Sequence, residues 1–438
     1  MAGPPPPLAL VRLRPGLLHG LCTVVAEQLY CFLLLLRGMT PVLLDVLGRL
    51  LGRPALPGSF DEILAEPRVY AELAADRSDD PVHSVTRVDC AGAAGGHQEA
   101  HCTDRLQLLV RAEAGAEPVR VFAKLPARSW GTWLVMSAFD VYRNELDAYA
   151  HLHPPIRKPK VLVARWSPSR FCLALEDLSG RVQLPRLWEE GNGCTAPRAR
   201  SALRSLAALH AHYWGGRRAQ ETARVWGAAG GSGPYYGKVV GRLALAGVER
   251  SHPGLVPPAV HEAFVTALWH WDTLQALWQR DAAGLTTCHG DAHIGNSFYD
   301  STDDVTGWLD LQCVARLHCM RDVTYFLVSS FPHGSLAQHE RQLIEGYLSE
   351  LQQQLDATCP PGAEAARAPS FEECWQQYRI HSFYAMYAFV FSGGFSSELQ
   401  GGAQTAALVT RCVAQMQRVD SAGALLGLLR DEQKAHSE

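Results

Sequence analysis

The sequence predicts an α+β fold in two parts, a small lobe rich in β-strands followed by a larger lobe that is mainly helical. Between residues 82 and 178, short apolar runs alternate with turn residues around a single helical stretch. Beyond residue 178, apolar residues recur at spacings of three and four, the period of amphipathic helices. We therefore expect a hydrophobic segment at 1–60, a small lobe at 61–178 and a helical lobe at 179–438.

The small lobe is predicted to contain four strands and one helix. RLQLLVRA (105–112) and VRVFAKLPA (119–127) form a strand pair, because turn residues separate two runs rich in Val and Leu. FDVYRNELDAYAHL (139–152) places its apolar residues on one helical face. KVLVARW and RFCLALEDL then supply two further strands. In the helical lobe, the same period predicts helices over 202–214, 262–278, 339–355 and 373–391, with a surface loop at 358–369.

The composition is that of a soluble globular protein and argues against two functional classes. Forty basic and 44 acidic side chains give a net charge of −4, without the positive surplus that binding to a phosphate backbone requires, so we expect no nucleic acid partner. The 12 cysteines are scattered and form no C-x-x-C pair, which favours reduced thiols in an intracellular, cytoplasmic protein without a zinc site.

The amino-terminal segment leaves three interpretations open. Residues 16–36 carry only one formally charged residue, Glu27, and at about 1.5 Å per residue they could just cross a bilayer core of roughly 30 Å. After Pro41, leucines fall on one face of a second, amphipathic helix. The segment could be a buried or interfacial helix, a membrane span, or a leader for an organelle, and membrane association through residues 16–53 follows from the first two.

The sequence CHGDAHIGNSFYD at 288–300 carries the strongest chemical signal. Asp291 is followed five residues later by Asn296, and Asp310 ends the predicted strand VTGWLD fourteen residues after that. Phosphoryl transfer needs one carboxylate to accept a hydroxyl proton, and an amide oxygen and a second carboxylate to hold Mg²⁺. The alternatives are purely structural roles: Asp291 and Asn296 could be turn residues, and Asp310 could cap a helix. His289 and His293 are expected to brace the loop by hydrogen bonds rather than to catalyse.

The small lobe offers the matching nucleotide-binding residues. Lys124 lies on the polar side of its predicted strand, where it could reach the α- and β-phosphates. Glu145 lies beside the apolar face of the predicted helix and is the expected partner of Lys124, with Asp140 or Asp147 as alternatives. Two further predictions complete the site: a hinge that contacts adenine, and a phosphate-covering loop in the glycine-rich 90–101. The predicted residues of these two parts are Glu176, Asp177 and Leu178 in the hinge and Gly95 and Gly96 in the loop.

These motifs, in this order, resemble those of the aminoglycoside phosphotransferase and choline kinase superfamily. HGDAHIGN, GWLDLQ and RDVTYFLVSS carry the resemblance, which is closest to the ecdysteroid kinase-like (CHK kinase-like) family and covers about 82–395. It implies a protein-kinase-like two-lobed fold, with Asp291 as base, Asn296 and Asp310 as Mg²⁺ ligands, and ATP as phosphoryl donor. The sequence departs from the family at Leu311, where an aromatic residue is usual, and in the unclear phosphate-covering loop.

The predicted function is therefore an ATP- and Mg²⁺-dependent kinase that phosphorylates a hydroxyl group of a small molecule. A protein kinase is the alternative enzyme, disfavoured by His293 and by the short distance from Asp310 to the next predicted helix. A non-catalytic binding protein with a kinase fold is the alternative from another class. The many Trp and Tyr residues of the helical lobe, without an acidic cluster, favour a neutral, apolar alcohol as acceptor.

Overall fold

A small antiparallel sheet and a helical body that follows it make up most of the described chain. The computed structural model describes residues 17–51, 56–65, 84–87, 103–111, 117–167, 170–185, 187, 194–225, 236–280, 282–332, 334–359, 366–395 and 400–435. The α+β fold class and its order, strands first and helices after, are as the sequence predicted.

The sheet has five antiparallel strands in the order β1-β2-β3-β5-β4. One face of the sheet is apolar and is covered by a short helix that the sequence analysis did not predict, from which Phe60 and Ile63 are fully buried. Alternation along β2 and β3 explains this face, since every second side chain of a strand points the same way. The strands span Ser84–Arg87 (β1), Thr103–Arg111 (β2), Val119–Pro126 (β3), Val161–Trp166 (β4) and Phe171–Glu176 (β5).

Fourteen α-helices are described, and most of those after β5 form one apolar core. The predicted helix at 262–278 is wrong in one respect, because the chain leaves helical geometry at His270 (φ −102°, ψ 21°) and a second helix begins at Trp271. The helices span Leu17–Leu50 (α1), Phe60–Ala65 (α2), Trp130–Ala138 (α3), Val141–His151 (α4), Ala196–His212 (α5), Ala219–Thr222 (α6), Tyr236–Ser251 (α7), Pro258–Trp269 (α8), Trp271–Arg280 (α9), Met320–Ser330 (α10), Glu340–Ala357 (α11), Phe371–Phe395 (α12), Gly402–Arg418 (α13) and Ser421–Ala435 (α14).

Two short pairs of antiparallel strands lie within the helical body and carry the segments that the motif analysis singled out. They pair Leu285–Cys288 (β6) with Ala315–His318 (β9), and Ser297–Asp300 (β7) with Val305–Trp308 (β8). The segment after β6 contains Asp291, and the segment after β8 contains Asp310. A hydrogen bond of 2.8 Å from the N–H of Leu309 to the carbonyl of Asn296 ties the two segments together.

The amino-terminal helix α1 is one continuous helix, whereas the sequence predicted a break near Pro41. A proline inside a helix removes one backbone hydrogen bond but does not always end the helix. Within α1, the stretch Val24–Gly48 is long and apolar enough to cross a bilayer, with a mean hydropathy of 1.7, and only 12% of its most apolar part is buried. The helix packs against α3, where Gly38 lies so close that an added Cβ would be 2.7 Å from Cβ of Ala138.

Candidate active site

A cleft lies between the sheet and the helical body. Strands β2 and β3 form one wall, the segment after β5 forms the end, and the segments around Asn296 and Asp310 form the opposite wall. The cleft therefore brings together residues that are far apart in the sequence. Its lining includes the predicted site residues Lys124, Glu176, Asp177, Leu178, Asn296 and Asp310.

Lys124 lies at the centre of a buried chain of charges. Its Nζ is 2.5 Å from Oε1 of Glu145 and 2.9 Å from Oδ1 of Asp310. The alternative partners face elsewhere: Asp140 pairs with Arg37 at the surface, and Asp147 lies near other side chains of its own helix. Among the three acids that the sequence offered, Glu145 is thus the one that contacts Lys124.

Helix α4 is held in place next to Asp310 by a polar residue that the sequence analysis missed. The side-chain amide of Asn144 donates hydrogen bonds to the carbonyl oxygens of Gln312 (2.8 Å) and Val314 (3.0 Å), just after Asp310. Asn144 is buried, so these bonds are shielded from water. They fix the position of the neighbouring Glu145 relative to the segment that carries Asp310.

Arg105 is a second cation at the site and was not predicted. It lies on β2 directly opposite Lys124 on β3, so the two side chains share the face of the sheet that borders the cleft. Nη2 of Arg105 is 2.8 Å from Oδ2 of Asp310. Both carboxylate oxygens of Asp310 are therefore engaged by basic side chains. Only the register between β2 and β3 could have revealed this, and a single sequence does not supply that register.

The two carboxylates of this chain respond differently to burial. Burial alone would raise the pKa of Asp310, but the charges of Lys124 and Arg105 outweigh it and hold that pKa well below its usual value. For Glu145, burial is the larger effect and raises the pKa, although Lys124 opposes it. Asp310 therefore stays ionised more firmly than Glu145, as an anion that binds cations should.

The loop after β6 is held by a buried carboxylate on helix α10. Asp322 accepts hydrogen bonds from the N–H groups of His289 (2.6 Å) and Gly290 (2.9 Å) and lies 3.1 Å from Nε2 of His210. Gly290 has a φ of +81°, and a Cβ there would be 1.9 Å from the carbonyl oxygen of Cys313. Only glycine fits this turn, which aims the following Asp291 away from the core.

Three buried side chains lie close enough together to hold a metal ion, namely His210, Cys288 and Asp322. Their hydrogen bonds argue against a metal site. Both ring nitrogens of His210 are engaged, one by the hydroxyl of Tyr347 and one by Asp322. Burial raises the pKa of Cys288 well above its usual value, which keeps the thiol protonated. The three side chains therefore brace the loop.

Asp291 lies at the open end of the loop, with a partly exposed side chain. The amide Nδ2 of Asn296 donates to Oδ2 of Asp291 at 2.9 Å. Burial, together with the charge of the Asp291 carboxylate, raises the pKa of Tyr325 well above its usual value. His293 accepts the N–H of Asn296 on Nδ1 (3.1 Å), and Nε2 of His289 donates to the carbonyl of Leu309 (2.8 Å). Both histidines thus make the bracing hydrogen bonds that the sequence predicted.

The predicted hinge borders the cleft, but several of its groups are already engaged. The N–H of Glu176 donates to the carbonyl of Lys160 (2.9 Å), and the carboxylate of Asp177 accepts from the N–H of Ser179 (2.9 Å). The N–H of Leu178 makes no hydrogen bond to another described group. The predicted phosphate-covering residues Gly95 and Gly96 lie outside the described residues.

The donor set suits a divalent cation that prefers oxygen ligands. Nδ2 of Asn296 donates a hydrogen bond to Asp291, so the amide oxygen of Asn296 is left for another partner. The carboxylate of Asp310 already attracts two cationic side chains, so it is a strong binding point for positive charge. A carboxylate and an amide oxygen are ligands that Mg²⁺ accepts, together with water and phosphate oxygens.

Three solved structures are distantly similar to this chain. A choline kinase from Cryptosporidium parvum Iowa II is 12% identical, over 76% of this chain and 88% of that chain, with a TM-score of 0.44. The choline kinase LicA from Streptococcus pneumoniae is 14% identical, over 82% and 100%, with a TM-score of 0.42. An aminoglycoside-3'-phosphotransferase of type VIII is 19% identical, over 70% and 93%, with a TM-score of 0.35. No curated protein matches the chain.

The family comparison is more specific than the likenesses to solved structures. The sequence model of the phosphotransferase enzyme family (APH) matches residues 109–359, from strand β2 to the end of helix α11. This range includes Lys124, Glu145, Asp291, Asn296 and Asp310. Because the match covers more than half of the 438 residues, the chain belongs to the phosphotransferase enzyme family.

Proposed function

We propose that this phosphotransferase uses ATP and Mg²⁺ to phosphorylate a hydroxyl group of a small molecule. The proposal rests on the cleft, which is lined by Lys124, Asn296 and Asp310. Asn296 also donates a hydrogen bond to Asp291, which lies beside the cleft. In the same proposal, residues 61–178 form the nucleotide-binding lobe and residues 179–438 the lobe that holds the acceptor.

In this proposal the small lobe binds and aligns the nucleotide. The adenine lies against the segment Glu176–Leu178, where the N–H of Leu178 is available for a hydrogen bond. Lys124, aimed by Glu145, contacts the phosphates, and Arg105 supplies a second positive charge on the same wall. When bound, Mg²⁺ neutralises negative charge that develops on the phosphates. Asp310 and the amide oxygen of Asn296 are the side chains that would hold it.

Asp291 is the proposed general base. Its carboxylate takes the proton of the acceptor hydroxyl as the hydroxyl oxygen bonds to the γ-phosphorus and the bond from that phosphorus to the β-γ bridging oxygen breaks. ADP leaves with the electron pair of the broken bond. The hydrogen bond from Asn296 orients the carboxylate without occupying all of its acceptor positions.

The surroundings of Asp291 support a neutral acceptor. The hydroxyl of Tyr384 is 3.4 Å from the carbonyl of Gly290, and the ring of Tyr384 contacts that of Tyr325. The guanidinium of Arg321 stacks on the Tyr384 ring at 3.4 Å from its centroid. A buried cation near the base disfavours a positively charged acceptor. We therefore infer that neutral alcohols react better than amines or quaternary ammonium compounds.

The short connection after Asp310 favours this proposal over a protein kinase. Only a single helical turn (Leu311–Cys313) and strand β9 separate Asp310 from helix α10. A protein kinase places a long activation segment and an A-P-E motif after the corresponding aspartate. The ecdysteroid kinase-like family remains our proposal for the relationship within the superfamily.

A transfer assay on the full chain tests the proposal. ATP labelled at the γ-phosphate is incubated with Mg²⁺ and a panel of acceptors, among them sterols, polyols, choline, ethanolamine and kanamycin, and labelled product and ADP are measured together. We expect acceptor-dependent ADP release, greatest with a neutral alcohol and absent in Asp291→Asn. A chain that binds ATP but gives the same low ADP release with every acceptor, in the parent and in Asp291→Asn alike, would instead be a binding protein.

A further inference from the structure

Helix α1 exposes its apolar side chains, the reverse of what is usual for a helix on the surface of a soluble protein. Twelve large apolar side chains of α1, from Leu21 to Leu50, are exposed. The charged side chains of α1 that the structure describes are Arg37 and Asp45, and both form ion pairs with the small lobe, Arg37 at the surface and Asp45 buried. Helices that pack on a protein in water normally bury the apolar face and expose the charged one.

The inward face of α1 is a specific contact with the small lobe. Asp45 forms an ion pair with Arg170 at 2.5 Å, and both side chains are largely buried. The guanidinium of Arg170 also lies 5.4 Å from the ring centroid of Trp133, and Val42 is buried next to it in the core. Helix α1 is therefore part of the folded catalytic unit over this stretch.

The outward face has the width expected of contact with lipid. Leu29, Tyr30, Phe32, Leu33 and Leu36 are all exposed, and at 100° per residue they cover an arc of about 160°. A helix that pairs with one other helix buries a narrower seam, at two positions of every seven. Arg37 is the one described charged side chain within this arc, and it pairs with Asp140. An apolar arc this wide fits the apolar boundary of a bilayer better than it fits one protein partner.

We propose that helix α1 lies in the surface of a lipid bilayer and attaches the catalytic unit to the membrane. A helix of 34 residues is about 51 Å long, which exceeds the roughly 30 Å of a hydrocarbon core. Its stretch from Arg37 to Asp45 is fastened to the small lobe by ion pairs and cannot enter that core. The helix therefore lies along the membrane, and its outward leucines enter the boundary between headgroups and acyl chains.

Vesicle flotation with the full chain tests this proposal. Neutral vesicles of phosphatidylcholine and anionic vesicles that also contain phosphatidylserine are compared in about 0.15 M and about 1 M salt, because apolar insertion resists screening whereas attraction between charges does not. We expect the protein to float with neutral vesicles at both salt concentrations. Flotation only with anionic vesicles, abolished by high salt, would overturn the proposal, and so would a protein that floats with neither.

A matched pair of variants localises the contact. Leu29→Gln/Leu43→Gln changes side chains of the outward face that are 58% and 55% exposed. The control Val119→Gln/Leu243→Gln changes side chains elsewhere that are 59% and 60% exposed. We expect the first variant to lower the partition coefficient at least about tenfold and the control to leave it within about twofold. Equal effects of the two variants would contradict the assignment to α1.

Self-association is the competing explanation and has its own readout. Sedimentation of the full chain without lipid distinguishes a monomer from a dimer, and thermal unfolding confirms that each variant is folded. A dimer that Leu29→Gln/Leu43→Gln converts to a monomer, combined with no flotation, would show that a second copy covers this face. A folded parent chain that floats, whether or not the transfer assay finds an acceptor, supports the membrane surface independently of the proposed reaction.

Discussion

At the scale of single residues, the contact between Lys124 and Glu145 connects packing to chemistry most directly. The side chains are 4% and 1% exposed, and Lys124 is the cation that contacts Glu145. Removal of Lys124 leaves Glu145 buried without this partner, which typically costs about 3 kcal/mol or more, whereas Lys124 keeps Asp310 as a partner when Glu145 is removed. Loss of Glu145 also leaves the lysine less well oriented toward the phosphates, so stability and turnover must be measured together.

We predict that Lys124→Met lowers turnover at least about 100-fold and that Glu145→Gln lowers it about tenfold, because the remaining lysine is present but less well aimed. The measurement is the initial rate of phosphoryl transfer, with thermal unfolding recorded on the same samples. Asp147→Asn is the control on the same helix, since Asp147 contacts Arg143 rather than Lys124. A larger loss in Asp147→Asn than in Glu145→Gln would show that the wrong acid has been assigned.

Single residues also mark how far sequence could predict the site. Asp291, Asn296, Asp310 and Lys124 could be named because their spacing reflects a reaction that requires those groups. Arg105 could not, because its contact with Asp310 depends on the register of two strands and on the closure of the cleft. The same holds for the polar and aromatic residues that hold the loop from distant helices, namely Asn144, Tyr325 and Tyr384.

At the scale of elements, some strands and helices can be predicted from the local residue pattern alone, whereas others depend on packing against the rest of the protein. The strands around Lys124 and the helix around Glu145 follow the predicted ranges within a few residues, because alternation and helical period report burial directly. The continuity of α1 through Pro41 could not be predicted in this way. The contacts of α1 with the small lobe, among them Gly38 against Ala138, favour one continuous helix even though Pro41 cannot donate a backbone hydrogen bond.

The loop that carries Asp291 should lose stability in acid through His293. Its Nδ1 accepts the N–H of Asn296, which requires a neutral ring, and burial lowers the pKa of His293 from its ordinary value of 6.5. The unfolded chain therefore binds more protons in this range than the folded chain. Stabilisation by the neutral ring is complete above about pH 6.5 and is lost as the pH falls below that value.

We predict that His293→Gln flattens this dependence, because glutamine can accept the same N–H and does not titrate. The measurement is the difference in Tm between about pH 7.5 and about pH 5.5, compared between the parent and the variant. The parent should lose more Tm than the variant over this interval. An identical loss in both proteins would mean that protonation of His293 does not limit the stability of the loop.

At the scale of the whole molecule, helix α1 and the small lobe are joined by two ion pairs of very different burial. Asp45 and Arg170 have side chains 5% and 13% exposed, whereas Arg37 and Asp140 are 61% and 34% exposed. Exposed pairs contribute little, since water and salt screen them, but a buried pair that loses one member leaves an uncompensated charge. The attachment of α1 should therefore depend on Asp45 far more than on Arg37.

We predict that Asp45→Asn weakens the attachment of α1 by about 3 kcal/mol and that Arg37→Gln weakens it by less than about 1 kcal/mol. Chymotrypsin cleavage within α1, measured under conditions where the rest of the protein stays intact, reports the opening of the helix. Cleavage should accelerate strongly in Asp45→Asn and little in Arg37→Gln. Similar acceleration in both variants would show that the helix is held by apolar contacts alone.

The whole account depends on separate roles for two aspartates, Asp310 in the wall of the cleft and Asp291 beside it. Asp291 is assigned to the proton of the acceptor, and Asp310, which already attracts Lys124 and Arg105, is assigned to the metal and the phosphates. If this is correct, loss of Asp291 spares nucleotide binding and loss of Asp310 does not. The two variants should then fail in different ways.

Calorimetric titration of ATP, with and without Mg²⁺, into the parent, Asp291→Asn and Asp310→Asn tests this claim most directly. We predict that Asp291→Asn binds ATP and Mg²⁺ with nearly the affinity of the parent while transfer is lost. Asp310→Asn should lose at least about tenfold in affinity with Mg²⁺ and much less without it. A parental dependence on Mg²⁺ in Asp310→Asn, or retained transfer in Asp291→Asn, would contradict the roles assigned to these two residues.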